Sequence, residues 1–244
     1  MKNIRLTIEY DGTRFNGWQK QPNQRTIQGE IEKALKKITN QEVCIHGSGR
    51  TDKGVHARGQ VASFHTQSRI PEDRFKVALN SILPKDITIK NSEQVNNDFH
   101  ARFSAIGKEY SFLIYNHRIR SSLVREYSYH VKYDLNIERM KRASEDFIGE
   151  HDFRSFMTSG SSIKDTVRRI DKFTINRDNN IIKLRVSGNG FLYNMVRIMT
   201  GTLIDIGCGK LSEDIIPSIL NSRKRDNAGH TAKPQGLYLE KVFY

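Results

Sequence analysis

Apolar and polar positions alternate from the start of the chain, with Ile4, Leu6, Ile8 and Tyr10 on one side and Asn3, Arg5, Thr7 and Glu9 on the other. That period of two predicts a half-buried strand. Thr26 then stands where a helix cap is wanted, ahead of Ile27, Ile31, Leu35 and Ile38 at helical spacing, with Lys36 and Lys37 placed for the last turn. Short β-like runs follow at Glu42–His46 and Gly59–His65. A second helix is expected from Pro71 to about Ile82, and a strand at Ile87–Lys90.

A second series opens near Gly107. Lys108–Tyr115 sets Tyr110, Phe112 and Ile114 against Ser111, Leu113 and Tyr115, and Arg125–Val131 reads as its partner strand. Asn136 is placed to cap a helix carrying Ile137, Met140, Phe147 and Ile148. Lys172–Ile175 and Ile181–Ser187, separated by Arg177-Asp178-Asn179-Asn180, read as a hairpin. Leu192, Met195, Val196, Met199 and Leu203 mark a helix that Gly207 and Gly209 should stop. A short helix from a Ser212 cap, distorted by Pro217, and a strand at Leu237–Tyr244 close the pattern. Strands mixed with helices predict an α+β protein in two closely packed halves, residues 1–105 and 106–244, with no low-complexity linker between them.

Charge narrows the class of partner. Lys and Arg number 40 against 27 Asp and Glu, a net charge of +13. Such a surface fits a polyanion, because neutralising phosphates releases condensed counterions. Cys44 and Cys208 lie far apart in apolar contexts and read as buried free thiols rather than a disulfide. The alternating start is not a signal peptide, and no apolar run approaches the roughly 20 residues of a membrane span. The expectation is a cytoplasmic protein with no membrane partner.

The densest concentration of chemistry is the run Gly47-Ser48-Gly49-Arg50-Thr51-Asp52-Lys53-Gly54-Val55-His56-Ala57-Arg58-Gly59. It is not a dinucleotide fingerprint, because Asp52 occupies the position of the third glycine. Nor is it a phosphate loop, because Val55-His56 follow Gly54 where Lys-Ser/Thr is required. Asp52 lies between Arg50 and Lys53, cations that favour its ionised form, and such a carboxylate can act as nucleophile or electrostatic partner. No H-E-x-x-H, C-x-x-C or G-x-S-x-G occurs, so neither a metal nor a cofactor is expected. Taken singly, Arg197 and Tyr110 read as a surface cation and as one member of a strand face. On residues alone the open readings are an RNA-modifying enzyme, an inert RNA-binding protein, and a nucleotide enzyme with an unusual loop.

Gly49-Arg50-Thr51-Asp52-Lys53-Gly54-Val55-His56-Ala57 resembles the catalytic loop of the TruA family of tRNA pseudouridine synthases, and the resemblance spans nearly the whole chain. It continues in Tyr10-Asp11-Gly12-Thr13, Gly17-Trp18-Gln19, Phe99-His100-Ala101-Arg102-Phe103, Lys108-Glu109-Tyr110, Gly149-Glu150-His151-Asp152-Phe153, Gly190–Arg197, Ala228–Ala232 and Gly236–Leu239. The resemblance implies the pseudouridine synthase fold, an extended and mainly antiparallel mixed sheet flanked by helices in two similar halves. In this reading the first half carries the Asp loop and the second completes the cleft. It further implies isomerisation of uridine to pseudouridine in the tRNA anticodon stem-loop, at positions 38, 39 and 40, without cofactor and by a homodimer.

By the same resemblance Asp52 is the essential carboxylate and Tyr110 the active-site tyrosine. Arg197 is the basic partner of Asp52, and Leu237 an apolar wall beneath the base. Arg50 orients the loop or binds phosphate. Lys53 and Arg58, with Lys20 and Arg25, are candidates for the RNA backbone. One departure is Phe112, where relatives often carry a second tyrosine after Tyr110.

Overall fold

The computed structural model describes residues 1–158, 160 and 163–244. Its strands are β1 (Lys2–Tyr10), β2 (His46–Gly47), β3 (His56–Thr66), β4 (Ile87–Val95), β5 (Gly107–Asn116), β6 (Tyr129–Val131), β7 (Gly149–Asp152), β8 (Val167–Asp178), β9 (Ile181–Gly188) and β10 (Leu237–Phe243). Its helices are α1 (Ile27–Thr39), α2 (Phe75–Asn80), α3 (Ile137–Glu145), α4 (Met195–Gly207) and α5 (Ile215–Ser222). The chain divides into two compact units, Met1–Ile106 with Tyr238–Tyr244, and Gly107–Leu237. Both mix helices with a mainly antiparallel sheet, so the fold class is α+β.

In the first unit the sheet order is β4-β1-β3-β10, with β2 also on β3. All pairs are antiparallel except β10 on β3, which run parallel through Tyr238 opposite His56 and Leu239 opposite Ala57. The alternation read in β1 is realised: Ile4, Leu6, Ile8 and Tyr10 are buried. Phe64 on β3 lies opposite Ile4 and meets Phe75 of α2 edge to face at 5.5 Å. On α1, Ile27, Ile31 and Leu35 are buried, and the Thr26 hydroxyl accepts from the Gly29 N–H at 3.3 Å. Asn3, on the polar side of β1, is also fully buried. Its Nδ2 donates to the carbonyls of Asn96 and Phe99 at 2.8 Å each, tying the loop after β4 over that edge.

In the second unit the order is β5-β9-β8-β7, antiparallel throughout, with β6 parallel to β5. Asn136 caps α3 by accepting from the Arg139 N–H at 3.0 Å, and α3 packs on α4 and β8. The hairpin turns more tightly than its sequence implies: Asp178 pairs with Ile181, and Asn179 supplies the positive φ of 53°.

Several expected elements are shorter or differently placed. Of Glu42–His46 only His46 enters a strand. Along that segment Val43 and Ile45 point inward, so Cys44 is turned out and is exposed, against the expectation of burial; Cys208 is half-buried at the end of α4, its thiol donating to the Ile204 carbonyl. Residues 122–128 form bends and turns, closed by the Tyr127 N–H and the Ser128 hydroxyl on the Val124 carbonyl, which leaves only Tyr129–Val131 as strand. The helix expected from Pro71 is a 3-10 turn at Glu72–Arg74 followed by α2. Leu192 precedes α4 rather than belonging to it. α5 starts after Asp214 rather than from a Ser212 cap, with no side-chain cap, and Pro217 falls in its first turn, where its missing N–H costs no helical bond.

Candidate active site

In the first unit the Gly47–Asp52 run leaves β2 and turns back into β3. Gln60 holds its start: Oε1 accepts from the Ser48 hydroxyl at 2.6 Å, and Nε2 donates to the Gly49 carbonyl at 2.9 Å. The Tyr10 hydroxyl lies 2.7 Å from the Thr51 hydroxyl, and the Thr51 carbonyl accepts from the Trp18 N–H at 3.0 Å. The carbonyls of Gly17 and Trp18 in turn accept the first-turn N–H groups of α1, from Ile27 at 3.2 Å and Gln28 at 3.0 Å. The helix end and the loop are therefore joined through one backbone segment.

Asp52 itself is half-buried and opens a tight turn. Its carbonyl accepts from the Val55 N–H at 3.1 Å, and Gly54, the third residue of the turn, has the positive φ of 78° that a type II turn demands there. Downstream, His56 is buried, accepts from the Gly12 N–H at 3.1 Å on Nδ1, and stacks on Tyr238 of β10 at 4.8 Å. A half-buried carboxylate is thus presented from a backbone fixed on both sides, the preorganisation that nucleophilic or electrostatic catalysis needs.

Arg50 is exposed, and its Nε donates to Gln19 Oε1 at 3.1 Å. This bond is the outer end of a polar chain that sequence reasoning missed. Gln19 donates to Gln28 Oε1 at 2.8 Å, and Gln28 donates to Glu32 Oε1 at 2.9 Å. Glu32 also accepts from Lys20 Nζ at 2.9 Å, and its hydrogen bond and charge raise the Lys20 ammonium above its ordinary value. Gln28 and Glu32 are both buried, at an i, i+4 spacing on α1 that the apolar stripe beside them overshadowed.

Of the cations proposed for RNA backbone, Lys53 is exposed. Arg58 donates to Glu240 at 2.7 Å and lies over the Tyr238 ring at 4.6 Å. Arg25 makes a two-pronged contact with Asp86 at 2.8 Å and covers Phe15 at 4.1 Å.

In the second unit Tyr110 is buried on β5 opposite Val186, and Phe191 meets its ring edge to face at 5.1 Å. Phe191 leads into Asn194, the residue before α4, whose φ of 61° reverses the chain. One turn into the helix is Arg197, half-buried. Its Nε donates to the Ala232 carbonyl at 2.7 Å and its Nη1 to Asn194 Oδ1 at 2.6 Å. The segment Phe191–Arg197 thus supports both the tyrosine and the arginine. Leu237 is buried just after the 3-10 turn Pro234–Gly236, and Gly236 rests against the Leu113 carbonyl and the Phe112 ring of β5.

Between these points the strand-less segment Ala228–Ala232 is pinned to α4. The Gly229 N–H donates to the Thr202 hydroxyl at 3.0 Å, and His230 Nδ1 lies 2.9 Å from Asp205 Oδ2. Burial pushes the Asp205 carboxyl upward, but the His230 ring and backbone bonds, with the Lys210 charge, outweigh it and hold the carboxyl below its ordinary value. Asp205 was not singled out in the sequence. Its position inside an apolar helix is the signal that was available.

The family model described as tRNA pseudouridine synthase matches residues 6–104 and 143–244. Asp52, Arg197 and Leu237 fall within those segments, and Tyr110 lies between them. The tRNA pseudouridine synthase A of Acetivibrio thermocellus is 53% identical over 244 residues, covering all of both chains. The protein of the same name from Caldicellulosiruptor bescii is 52% identical, again with full coverage of both. Among solved structures, a Cbf5-Nop10-Gar1 complex aligns with 96% of this chain and 57% of that chain, at 14% identity and a TM-score of 0.44. By the family model and by relatives of half-identical sequence along its entire length, this chain belongs to the tRNA pseudouridine synthase family.

Proposed function

We propose that the protein isomerises uridine to pseudouridine in the anticodon stem-loop of tRNA, at positions 38, 39 and 40, with Asp52 as the catalytic carboxylate. The C1′–N1 bond breaks, the uracil turns, and a C1′–C5 bond forms. The C5 proton is lost and N1 gains one, so no electron acceptor and no co-substrate is needed. The observation that carries the reading is the Asp52 turn, a half-buried carboxylate on a loop held at Gly49, Thr51 and Val55, in a family that acts on uridine.

The remaining roles follow from chemistry that these side chains can supply. The target uridine leaves its stack at a cost on the order of a few kcal/mol. Tyr110 faces the extruded base and assists proton removal at C5. Arg197, its guanidinium already steered by Ala232 and Asn194, is the cation that partners the Asp52 carboxylate. Leu237 supplies the apolar wall. Arg50 and Lys53, with Arg58 contributing less because of its bond to Glu240, meet phosphates. The protein works in the cytoplasm as a homodimer.

Site-resolved pseudouridine detection on unmodified tRNA, with native protein and Asp52→Asn, tests the reading. The variant keeps the shape of the side chain and loses its charge. It should fold and bind tRNA normally while turnover drops by at least about a thousandfold, the scale of a lost catalytic group. Signal from native protein at other sites would keep the chemistry and change the substrate. A fully active variant would remove Asp52 from the role.

A further inference from the structure

The motif Phe99-His100-Ala101-Arg102-Phe103 has no part in the chemistry above, yet it builds an exposed stack of rings. His46 and His100 lie 4.8 Å apart at 34°, and His100 and Phe103 4.4 Å apart at 33°. The Arg102 guanidinium sits 5.7 Å from the centre of the Phe103 ring. Phe103 ends the stack and is 77% exposed. Single exposed apolar side chains are ordinary; what sets this ring apart is that it ends a run of stacked rings and leaves one face of it open.

The stack is braced by hydrogen bonds on both sides. His100 Nδ1 accepts from the Arg102 N–H at 3.1 Å and from the Phe103 N–H at 3.4 Å, so that nitrogen carries no proton. Burial first, and then the neighbouring His46, hold His100 below the ordinary imidazole value, which keeps the ring uncharged at neutral pH. The Ser104 N–H donates to the His100 carbonyl at 2.9 Å, and the Ser104 hydroxyl accepts from the His100 N–H at 3.1 Å. The Ala101 N–H donates to the Ser63 hydroxyl at 3.0 Å, and the Ala101 carbonyl accepts from the Tyr244 hydroxyl at 2.8 Å.

The location is equally specific. His46 opens β2 and runs directly into the Gly47–Asp52 loop, and it pairs with the same Ser63 that anchors Ala101. The stack therefore extends from the first residue before the candidate catalytic loop out to solvent.

We propose that His46, His100 and Phe103, with Arg102 at the rim, form a stacking platform for one unpaired nucleobase of the substrate RNA, beside the base that is turned over. Flat rings with a guanidinium at the edge fit a π-face followed by a phosphate. This is how single-stranded nucleic acid is held without reading its sequence. A net charge of +13 favours that polyanion over an apolar protein partner. The inference rests on the proposed RNA substrate and adds a contact outside the reacting pocket.

The test pairs Phe103→Ala, Phe103→Leu and Phe103→Trp with anticodon stem-loop RNAs that carry one abasic site at each loop position in turn. Both pseudouridine formation and the Kd by fluorescence anisotropy are read. Phe103→Ala should raise KM and Kd roughly tenfold with kcat within about twofold, the loss of one base–aromatic stack. Phe103→Trp should restore binding and Phe103→Leu should not. One abasic RNA should lower the native protein to the level of Phe103→Ala, which then falls no further on that RNA.

Independent losses at every abasic position, or rescue by leucine as good as by tryptophan, would overturn the platform. So would a change in sedimentation of Phe103→Ala, which would assign the patch to a second copy of the chain. If native protein binds the RNA without isomerising it, the catalytic reading fails while the binding series still decides the platform.

Discussion

Gly12 shows how closely a single position constrains the candidate site. A β-carbon built there would lie 1.9 Å from the Val55 carbonyl oxygen, at the end of the Asp52 turn. Backbone on backbone cannot yield as a flexible side chain does. Gly12→Ala should therefore displace the turn and destabilise the fold by about 2–3 kcal/mol, the upper part of the overpacking range. Pseudouridine formation should fall further than the unfolded fraction explains. Thermal unfolding and single-turnover assays on the same preparation check this, and unchanged values in both would show the turn to be more tolerant than its geometry implies. At this scale the loop between β2 and β3 was legible, because its glycines crowd a short span between two β-like runs. The sequence was not legible at Asn3, which reads as a solvent-facing residue on β1. Asn3 is buried because a loop more than ninety residues later closes over it, and no local pattern carries that information.

Helix α1 begins where its cap predicts, and the cap has consequences beyond the helix. Thr26 is buried, so no water replaces its hydroxyl when Thr26→Ala leaves the Gly29 N–H without its acceptor. The cost should be about 1 kcal/mol, read as a shift in urea midpoint at constant slope. Serine at the same position should recover most of it. β1, α1 and β5 were readable because burial on one face is written every second or every third to fourth residue; α3 was readable at its Asn136 cap but ends at Glu145, so Phe147 and Ile148, expected on its face, lie beyond it and Ile148 is exposed. Residues 125–131 were not readable, because the aromatic and branched residues that favour a strand there are overruled by turns closing on the Val124 carbonyl. The buried Gln28–Glu32 pair escaped notice for a related reason. Polar residues beside an apolar stripe look like a solvated flank until the Ile45 N–H and carbonyl are found against them.

For the molecule as a whole, acid sensitivity is a property that the buried Asp205 carboxylate allows to be predicted. Asp205 ties the Ala228–Ala232 segment to α4, and its carboxyl is held below the ordinary range in the fold. Between that depressed value and the unfolded value of about 3.9 the unfolded chain binds the extra proton, so stability rises with pH across that window. The contribution is complete above about pH 4 to 5 and is lost as pH falls through the folded value. Asp205→Asn should therefore be less stable than native protein by roughly 2 kcal/mol near neutrality, the scale of a hydrogen bond to a charged group. That difference should shrink toward zero in strong acid. Urea unfolding of both proteins along a pH series measures it, and a gap that stays constant into acid would assign the loss to packing instead. The α+β character was legible from the order of strands and helices. The return of the final strand to the first unit was not, since pairing between β3 and β10 leaves no trace in either segment alone.

That return has a consequence for how the protein is made. A ribosome delivers β1 to β4 and the Asp52 loop early, but Tyr238, which stacks on His56 and lies under Arg58, emerges only after all of residues 107–237. Until then β3 has a vacant parallel edge, and the side of the loop nearest His56 lacks its cover. A nascent chain stalled before residue 238 would carry every candidate catalytic side chain and still hold its carboxylate on an unfinished support. Arrival of β10 is thus a late step in completing the support of the Asp52 loop.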